Sequence, residues 1–172
     1  MILKPTIKLI LLMATILIGC KSITEKEPFS NTISQPQLLA PNIISSANFH
    51  EGANFYDSDE RIIYFTRSDK EFKTSTLYSS KYKRGTVWSE PKILSFSGEH
   101  YDAGLSFFPD KETAYFTSKR DPLKKGLSKE WNIWKVKKTK GKWGIPEVLS
   151  FPINSDSSEC CFTVNKKGQA FF

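Results

Sequence analysis

Apolar and polar positions alternate in short runs from about residue 53 onward, and the runs return in the same order. Tyr64-Phe65-Thr66 recurs as Tyr115-Phe116-Thr117, 51 residues later, and Phe171-Phe172 supplies a third aromatic pair. Each pair follows a turn-like stretch: Asp59-Glu60-Arg61, then Asp110-Lys111-Glu112, then Lys166-Lys167-Gly168. Upstream, Glu51-Gly52-Ala53-Asn54-Phe55 parallels Asp102-Ala103-Gly104-Leu105-Ser106-Phe107 with a small slip. Downstream, Trp88, Pro91 and Leu94 recur as Trp143, Pro146 and Leu149, each 55 residues on. Two separate motifs therefore keep their order within each unit, which marks an array of like structural units.

The runs predict four strands per unit. In the first unit these are residues 53–57, 61–67, 75–81 and 86–94; in the second, 103–108, 113–118, 131–136 and 143–149. Residues 113–118 are rich in β-branched and aromatic side chains, and Trp131-Asn132-Ile133-Trp134-Lys135-Val136 alternates as a half-buried strand does. Pro109 presets φ and Asp110 tolerates turn geometry between the first two strands. Lys140-Gly141-Lys142 forms a later turn, and Pro146 points to an edge strand. A polar connection spans residues 119–130, and no sustained helical period follows the N-terminus. Four antiparallel strands in a unit of roughly 40–50 residues is a propeller blade. The expected fold is thus all-β, an incomplete β-propeller of about two and a half four-stranded antiparallel blades. Propellers close with about 4–8 blades, so the sequence is expected to be a fragment of a longer protein.

The units resemble the WD40-like repeats of TolB-type β-propellers, whose blades carry an aspartate turn leading into a Tyr-Phe-Thr/Ser strand. Phe108-Pro109-Asp110 through Tyr115-Phe116-Thr117-Ser118 carries the likeness most closely. Ser58-Asp59 through Tyr64-Phe65-Thr66-Arg67 lacks the proline, and Glu60 and Lys111 stand where the family usually has glycine. The third copy has Gly168 but no aspartate. The resemblance covers about residues 47–172 and implies a propeller; it leaves function open, because propellers host many activities.

The N-terminus reads as a processing signal. Lys4 and Lys8 precede an apolar run over residues 9–18, too short for a comfortable membrane span. Leu17-Ile18-Gly19-Cys20 resembles the bacterial lipobox, which implies cleavage before Cys20 and acylation of its thiol. More than one acyl chain makes such an anchor stable. Lys21, where aspartate would favour the inner membrane, points to the outer membrane. Residues 1–19 are accordingly read as the signal peptide, 20–46 as lipidated cysteine and flexible tether, and 47–172 as blades. The tether reading rests on its Ser, Thr, Asn, Gln and Pro content.

Charge and cysteines add less. Losing Lys4 and Lys8 with the leader takes two charges from the formal +7. The lysine-rich stretch 135–142 reads as a solvated edge hairpin whose charge discourages aggregation, and export argues against a nucleic-acid partner. With Cys20 lipidated, Cys160 and Cys161 remain. Strand neighbours face opposite sides, so one is expected to be buried and the other exposed or paired elsewhere.

Candidate chemistry is sparse. His50 and His100 occupy matching places in consecutive units, and Glu51, Asp102 and Glu159 recur ahead of the three aromatic pairs. Near the start of each innermost strand, these residues could ring a channel mouth and bind a cation or polar ligand. Alternatively, the acids cap backbone groups between units and hold their spacing. Ser80 to Trp88 resembles the aspartate box of sialidase propellers, but the aspartate is absent and Val87 replaces a threonine. No Gly-x-Ser-x-Gly elbow and no zinc-ligand spacing occurs, and no catalytic residue, metal or cofactor is expected. Two function classes follow. One is an outer-membrane lipoprotein whose non-catalytic propeller binds protein, peptidoglycan or another glycan. The other is the propeller portion of a larger exported peptidase or glycosidase.

Overall fold

The structure is a computed structural model, and it describes residues 35–83, 87–123 and 127–172. The expected leader, Cys20 and the first part of the tether lie outside these residues. So does the middle of the stretch likened to an aspartate box.

The described residues are all-β. The first sheet contains β1 (Phe49–Asp57), β2 (Ile62–Asp69), β3 (Ser75–Lys83), β4 (Val87–Trp88) and β5 (Lys92–Ile93). The second contains β6 (Asp102–Phe107), β7 (Thr113–Arg120), β8 (Leu127–Thr139), β9 (Lys142–Trp143) and β10 (Glu147–Val148). A hairpin of β11 (Thr163–Val164) and β12 (Ala170–Phe171) follows. Both sheets are antiparallel meanders, and β4 and β5 both pair with β3 just as β9 and β10 both pair with β8. The expected fourth strand of each unit is therefore two short pieces. Pro91 and Pro146 sit in the breaks between them, where the missing amide is not needed for a ladder bond. The polar connection expected over residues 119–130 is also shorter, because β7 runs on to Arg120 and β8 starts at Leu127.

The first two strands of the sheets share one register. Phe55 pairs with Tyr64, Ser106 with Tyr115 and Thr163 with Phe171. A bulge interrupts β1 between Ala53 and Phe55 and β6 between Ala103 and Ser106. Turns between these strands are pinned alike. Asp57 accepts the amides of Asp59 and Glu60 (3.0 and 3.3 Å), and Asp110 those of Glu112 and Thr113 (both 2.8 Å). In the hairpin Asn165 takes over, accepting from Lys167 and Gln169 (2.9 and 3.0 Å). Asn165 thus supplies the acceptor that the third copy was expected to lack. The sharp turns need left-handed residues: Arg61 (φ 57°), Lys111 (φ 58°) and Gly168 (φ 77°). Only glycine adopts that region without a Cβ penalty.

Packing explains the aromatic pairs. Successive strand residues face opposite ways, so each pair sends one ring to each side of its sheet. Tyr64, Leu77 and Leu94 of the first sheet join Leu105, Ala114, Phe116, Trp134 and Val136 of the second in the main core. On the far side of the first sheet, Phe65 packs with Ile63, Tyr82, Trp88 and Ile44. On the far side of the second, Tyr115 meets Phe162, ring centroids 4.8 Å apart. The layers therefore succeed one another in chain order: the segment around Ile44, the first sheet, the second sheet, the hairpin. Ile44 is 3% exposed, and Leu39, Ala40 and Ile43 pack beside it. Among the described residues, the stretch from Leu39 to Ile44, inside the expected tether, is packed, because this apolar tetrad covers the Phe65 face.

Hydrogen bonds stitch the layers. Ser75 Oγ donates to the Asp102 carbonyl (2.9 Å), and Ser106 Oγ donates to the Phe162 carbonyl. Thr66 Oγ1 accepts from the Gly104 amide of the next sheet (3.3 Å) and donates to Asn54 (2.8 Å). Lys111 Nζ reaches from the second sheet to Asp59 (2.6 Å) and Asp57 (2.9 Å) in the first. These acceptors push the Lys111 ammonium up to about 12. Burial alone would raise Asp57, yet Lys111 and the two turn amides hold its carboxyl below the usual range.

Candidate functional site

Three of the five residues expected to ring a channel mouth are bound into their own units. Asp102 is fully buried. It accepts from Ser118 Oγ (2.6 Å), Ser97 Oγ (2.7 Å) and Arg120, whose Nη2 lies 2.8 and 2.9 Å from its two oxygens. Arg120 also donates to the Phe96 carbonyl (3.0 Å). Its guanidinium stands over Phe116 and Trp134, at 5.0 and 5.4 Å from the ring centroids.

Glu51 repeats the arrangement in the first sheet. It accepts from Arg67 Nε (3.1 Å) and from the Ser46 amide (3.2 Å). Arg67 donates to the carbonyls of Ile43 and Ile44 (3.1 and 2.9 Å). Its guanidinium covers Phe65 and Tyr78, 5.5 and 5.3 Å from their centroids. Acid, arginine, carbonyl of the preceding segment and two aromatic rings together form a clip. It recurs although the arginines differ in register: Arg67 lies opposite Glu51, whereas Arg120 is two residues past Ser118, the partner of Asp102. That offset hides the clip from a residue-by-residue alignment of the repeats; the signal available was an arginine within three residues after each Tyr-Phe-Thr.

Glu159 occupies the third position. Its Oε1 accepts from the Ser155 amide (3.0 Å) and hydroxyl, while its Oε2 is buried without a partner among the described residues. Among those residues no three His, Cys, Asp or Glu side chains gather as a metal ion requires. Glu51 and Glu159 each accept a backbone amide, those of Ser46 and Ser155, whereas the partners of Asp102 are all side chains and occupy both its oxygens.

The histidines are brought to one region. Asp69 closes a tight loop after β2 by accepting from the amides of Glu71, Lys73 and Thr74 (3.0, 2.9 and 2.6 Å). The Thr74 hydroxyl and these amides hold its carboxyl below the ordinary value. The loop lifts Phe72 into solvent, 56% exposed, where it stacks on His50 with centroids 4.5 Å apart. Phe72 also borders a cleft of about 430 Å³ shared with Thr74, His100, Tyr101 and Lys119. Tyr101 stands edge-on to Trp131 (4.9 Å), and Lys119 Nζ lies 5.0 Å above the same ring. Burial, and then the nearby Asp69 carboxylate, push the Tyr101 phenol up. The cleft therefore offers the rings of Phe72 and Tyr101, a phenol hydroxyl, and the Lys119 ammonium from β7. Phe72 went unnoticed in the sequence because it belongs to neither repeated motif.

Two smaller expectations also change. Cys160 and Cys161 are both exposed and free. Cys161 has φ 60°, which breaks strand alternation, and Phe162 takes the buried place. Within the lysine stretch, Lys138 is not simply solvated: it bonds Tyr64 Oη (3.3 Å) and lies 5.1 Å over Trp143.

No family model, no curated protein and no solved structure matches this chain.

Proposed function

We propose that this chain is a lipid-anchored, non-catalytic binding protein of the bacterial outer membrane, built from β-propeller-type blades, whose cleft beside Phe72 takes a glycan. The cleft is the observation that carries the ligand class. Sugar rings present apolar faces and outward hydroxyls, and Phe72 and Tyr101 with His100 and Lys119 complement both. Peptidoglycan is the glycan within reach of a lipoprotein tethered to that membrane, and a protein ligand is the competing occupant. Two meanders stacked face to face, with the same register and the same clip, support the blade reading. The Leu17-Ile18-Gly19-Cys20 sequence supports the anchor, which needs Cys20 as its acceptor.

Co-sedimentation of the whole chain with purified peptidoglycan tests the ligand. Phe72→Ala should cut the bound fraction by about tenfold and leave the melting temperature unchanged, since an exposed side chain contributes within about 0.5 kcal/mol. Undiminished binding by Phe72→Ala, or binding only to envelope proteins, would sink the glycan reading. Metabolic labelling with a fatty acid tests the anchor: Cys20→Ser should abolish incorporation, and persistent label would refute it.

A further inference from the structure

The two five-stranded sheets carry one register on their outer strands. In the first, Ile62 of β2 stands opposite Lys81 of β3, and Tyr64 stands opposite Ser79, which on its other side meets Lys92 of β5. In the second, Thr113 stands opposite Lys137, and Tyr115 opposite Lys135, which meets Glu147 of β10. Directly opposite residues, and every second residue along a strand, share a face. Ile62, Ser79, Lys81, Lys83 and Lys92 therefore lie on one face of the first sheet, the face whose Tyr64 joins the main core with the second sheet. With Ser89 and Glu90 they line a cleft of about 360 Å³.

The matching positions carry different charge. In the second sheet the Glu147 carboxylate lies 3.2 Å from the Lys135 ammonium, so that place neutralises itself. In the first, Lys92 stands where Glu147 does and Ser79 stands where Lys135 does. The acid is replaced by a third lysine beside Lys81 and Lys83. All three lysines are exposed, and none is ion-paired among the described residues. Glu90, the one carboxylate on the lining, is exposed in the break between β4 and β5. Three ammoniums around one cleft repel each other, and an anion between them turns that repulsion into attraction.

We propose that the cleft framed by Lys81, Lys83 and Lys92 binds a terminal phosphate group, carried by free phosphate or by the head of a lipid. A phosphate monoester carries about −1.5 to −2 charges at neutral pH and presents three acceptor oxygens, one for each ammonium. A carboxylate offers a single charge and two oxygens. Lysine serves phosphate as a point charge and needs no fixed fork geometry. The Ser79 hydroxyl adds a donor, and Ile62 supplies an apolar wall.

Two probes test it: inorganic phosphate, and dihexanoyl phosphatidic acid, a short-chain lipid with a terminal phosphate. Each is titrated into the whole chain near neutral pH, with ionic strength held constant by sodium chloride so that screening does not change. Amide NMR shifts of residues 79–83 and of Lys92 should move and saturate, with a dissociation constant of about 1 mM or tighter for the better probe. Tighter binding of the lipid assigns the phosphate to a headgroup; equal or tighter binding of inorganic phosphate assigns it to the free ion. Lys92→Glu, which copies Glu147 of the second sheet, should weaken both probes by about tenfold or more. It should leave the melting temperature unchanged, because the side chain is exposed. Shifts that fail to saturate by about 10 mM probe, that chloride alone reproduces, or that persist in Lys92→Glu would overturn the proposal. The first two results need no variant. None of them bears on the Phe72 cleft, which lies on other residues.

Discussion

Asp102 and Glu159 stand at the same register position in neighbouring units, yet their surroundings differ sharply. Asp102 is sealed under Arg120, with both oxygens bonded. Glu159 keeps one oxygen on Ser155, and the other has no partner among the described residues. Asp102 lies within β6 and pairs with Ser118 of β7; Glu159 lies four residues before β11 and donates its amide to the Trp131 carbonyl (3.0 Å). The difference teaches what an acid at this place is for. Where the second strand runs past it and brings an arginine, the acid locks a sheet to the segment before it. Glu159, with no arginine bonded to it among the described residues, has a partner for only one of its two oxygens there.

The contrast can be broken most forcefully at the rings and the acids. Phe116→Ala empties a fully buried site and should cost about 3–5 kcal/mol in chemical unfolding; Phe172→Ala should cost less than about 1 kcal/mol. Asp102→Ala strands the buried Arg120 and should cost about 3–5 kcal/mol. Glu159→Ala should stay within about 1 kcal/mol, since it loses the Ser155 bonds but also removes an unsatisfied oxygen. A similar loss for both acids would erase the distinction. Glu51→Ala should fall between them, at about 1–3 kcal/mol, because its pair with Arg67 keeps 11% and 15% side-chain exposure.

Acid should act more gently and on the turns. Asp57, Asp69 and Asp110 all have carboxyls held below 3.8, their unfolded value. For Asp110 burial opposes this, and the amides of Thr113 and Glu112 outweigh it. A depressed folded value means the stabilisation is complete above 3.8 and is lost as pH falls through the lower folded values. Denaturant midpoints should therefore be flat above about pH 5 and decline below pH 4. Asp110→Asn, which keeps the turn acceptor as Asn165 does, should flatten part of that decline; an unchanged acid profile would remove Asp110 from the account.

Strand identity was legible in the sequence because β-branched and aromatic residues alternate cleanly around Tyr64-Phe65 and Tyr115-Phe116. The third turn was not, since Asn165 replaces an aspartate and its role depends on geometry rather than charge. The breaks at Pro91 and Pro146 were visible only as edge signals; that each divides a strand in two follows from where β3 and β8 offer partners. The acids were singled out by spacing, but spacing could not say which way they face. That depended on Arg67 and Arg120, which sit two positions apart in register and yet each reach the acid of their own sheet. The cleft was least legible, because Phe72 and Tyr101 share no motif and come to one cleft through the Asp69 loop and the segment before β6.

An acid–arginine clip, fully buried at Asp102 and half-buried at Glu51, locks each of the two five-stranded sheets to the segment preceding it. A double-mutant cycle on Asp102→Ala and Arg120→Ala, read by unfolding free energy, tests it most directly. Coupling should be strong: the double variant should be less destabilised than the sum of the singles by about 2–3 kcal/mol, because removing both charges strands neither. Simple additivity to within about 0.5 kcal/mol would contradict it.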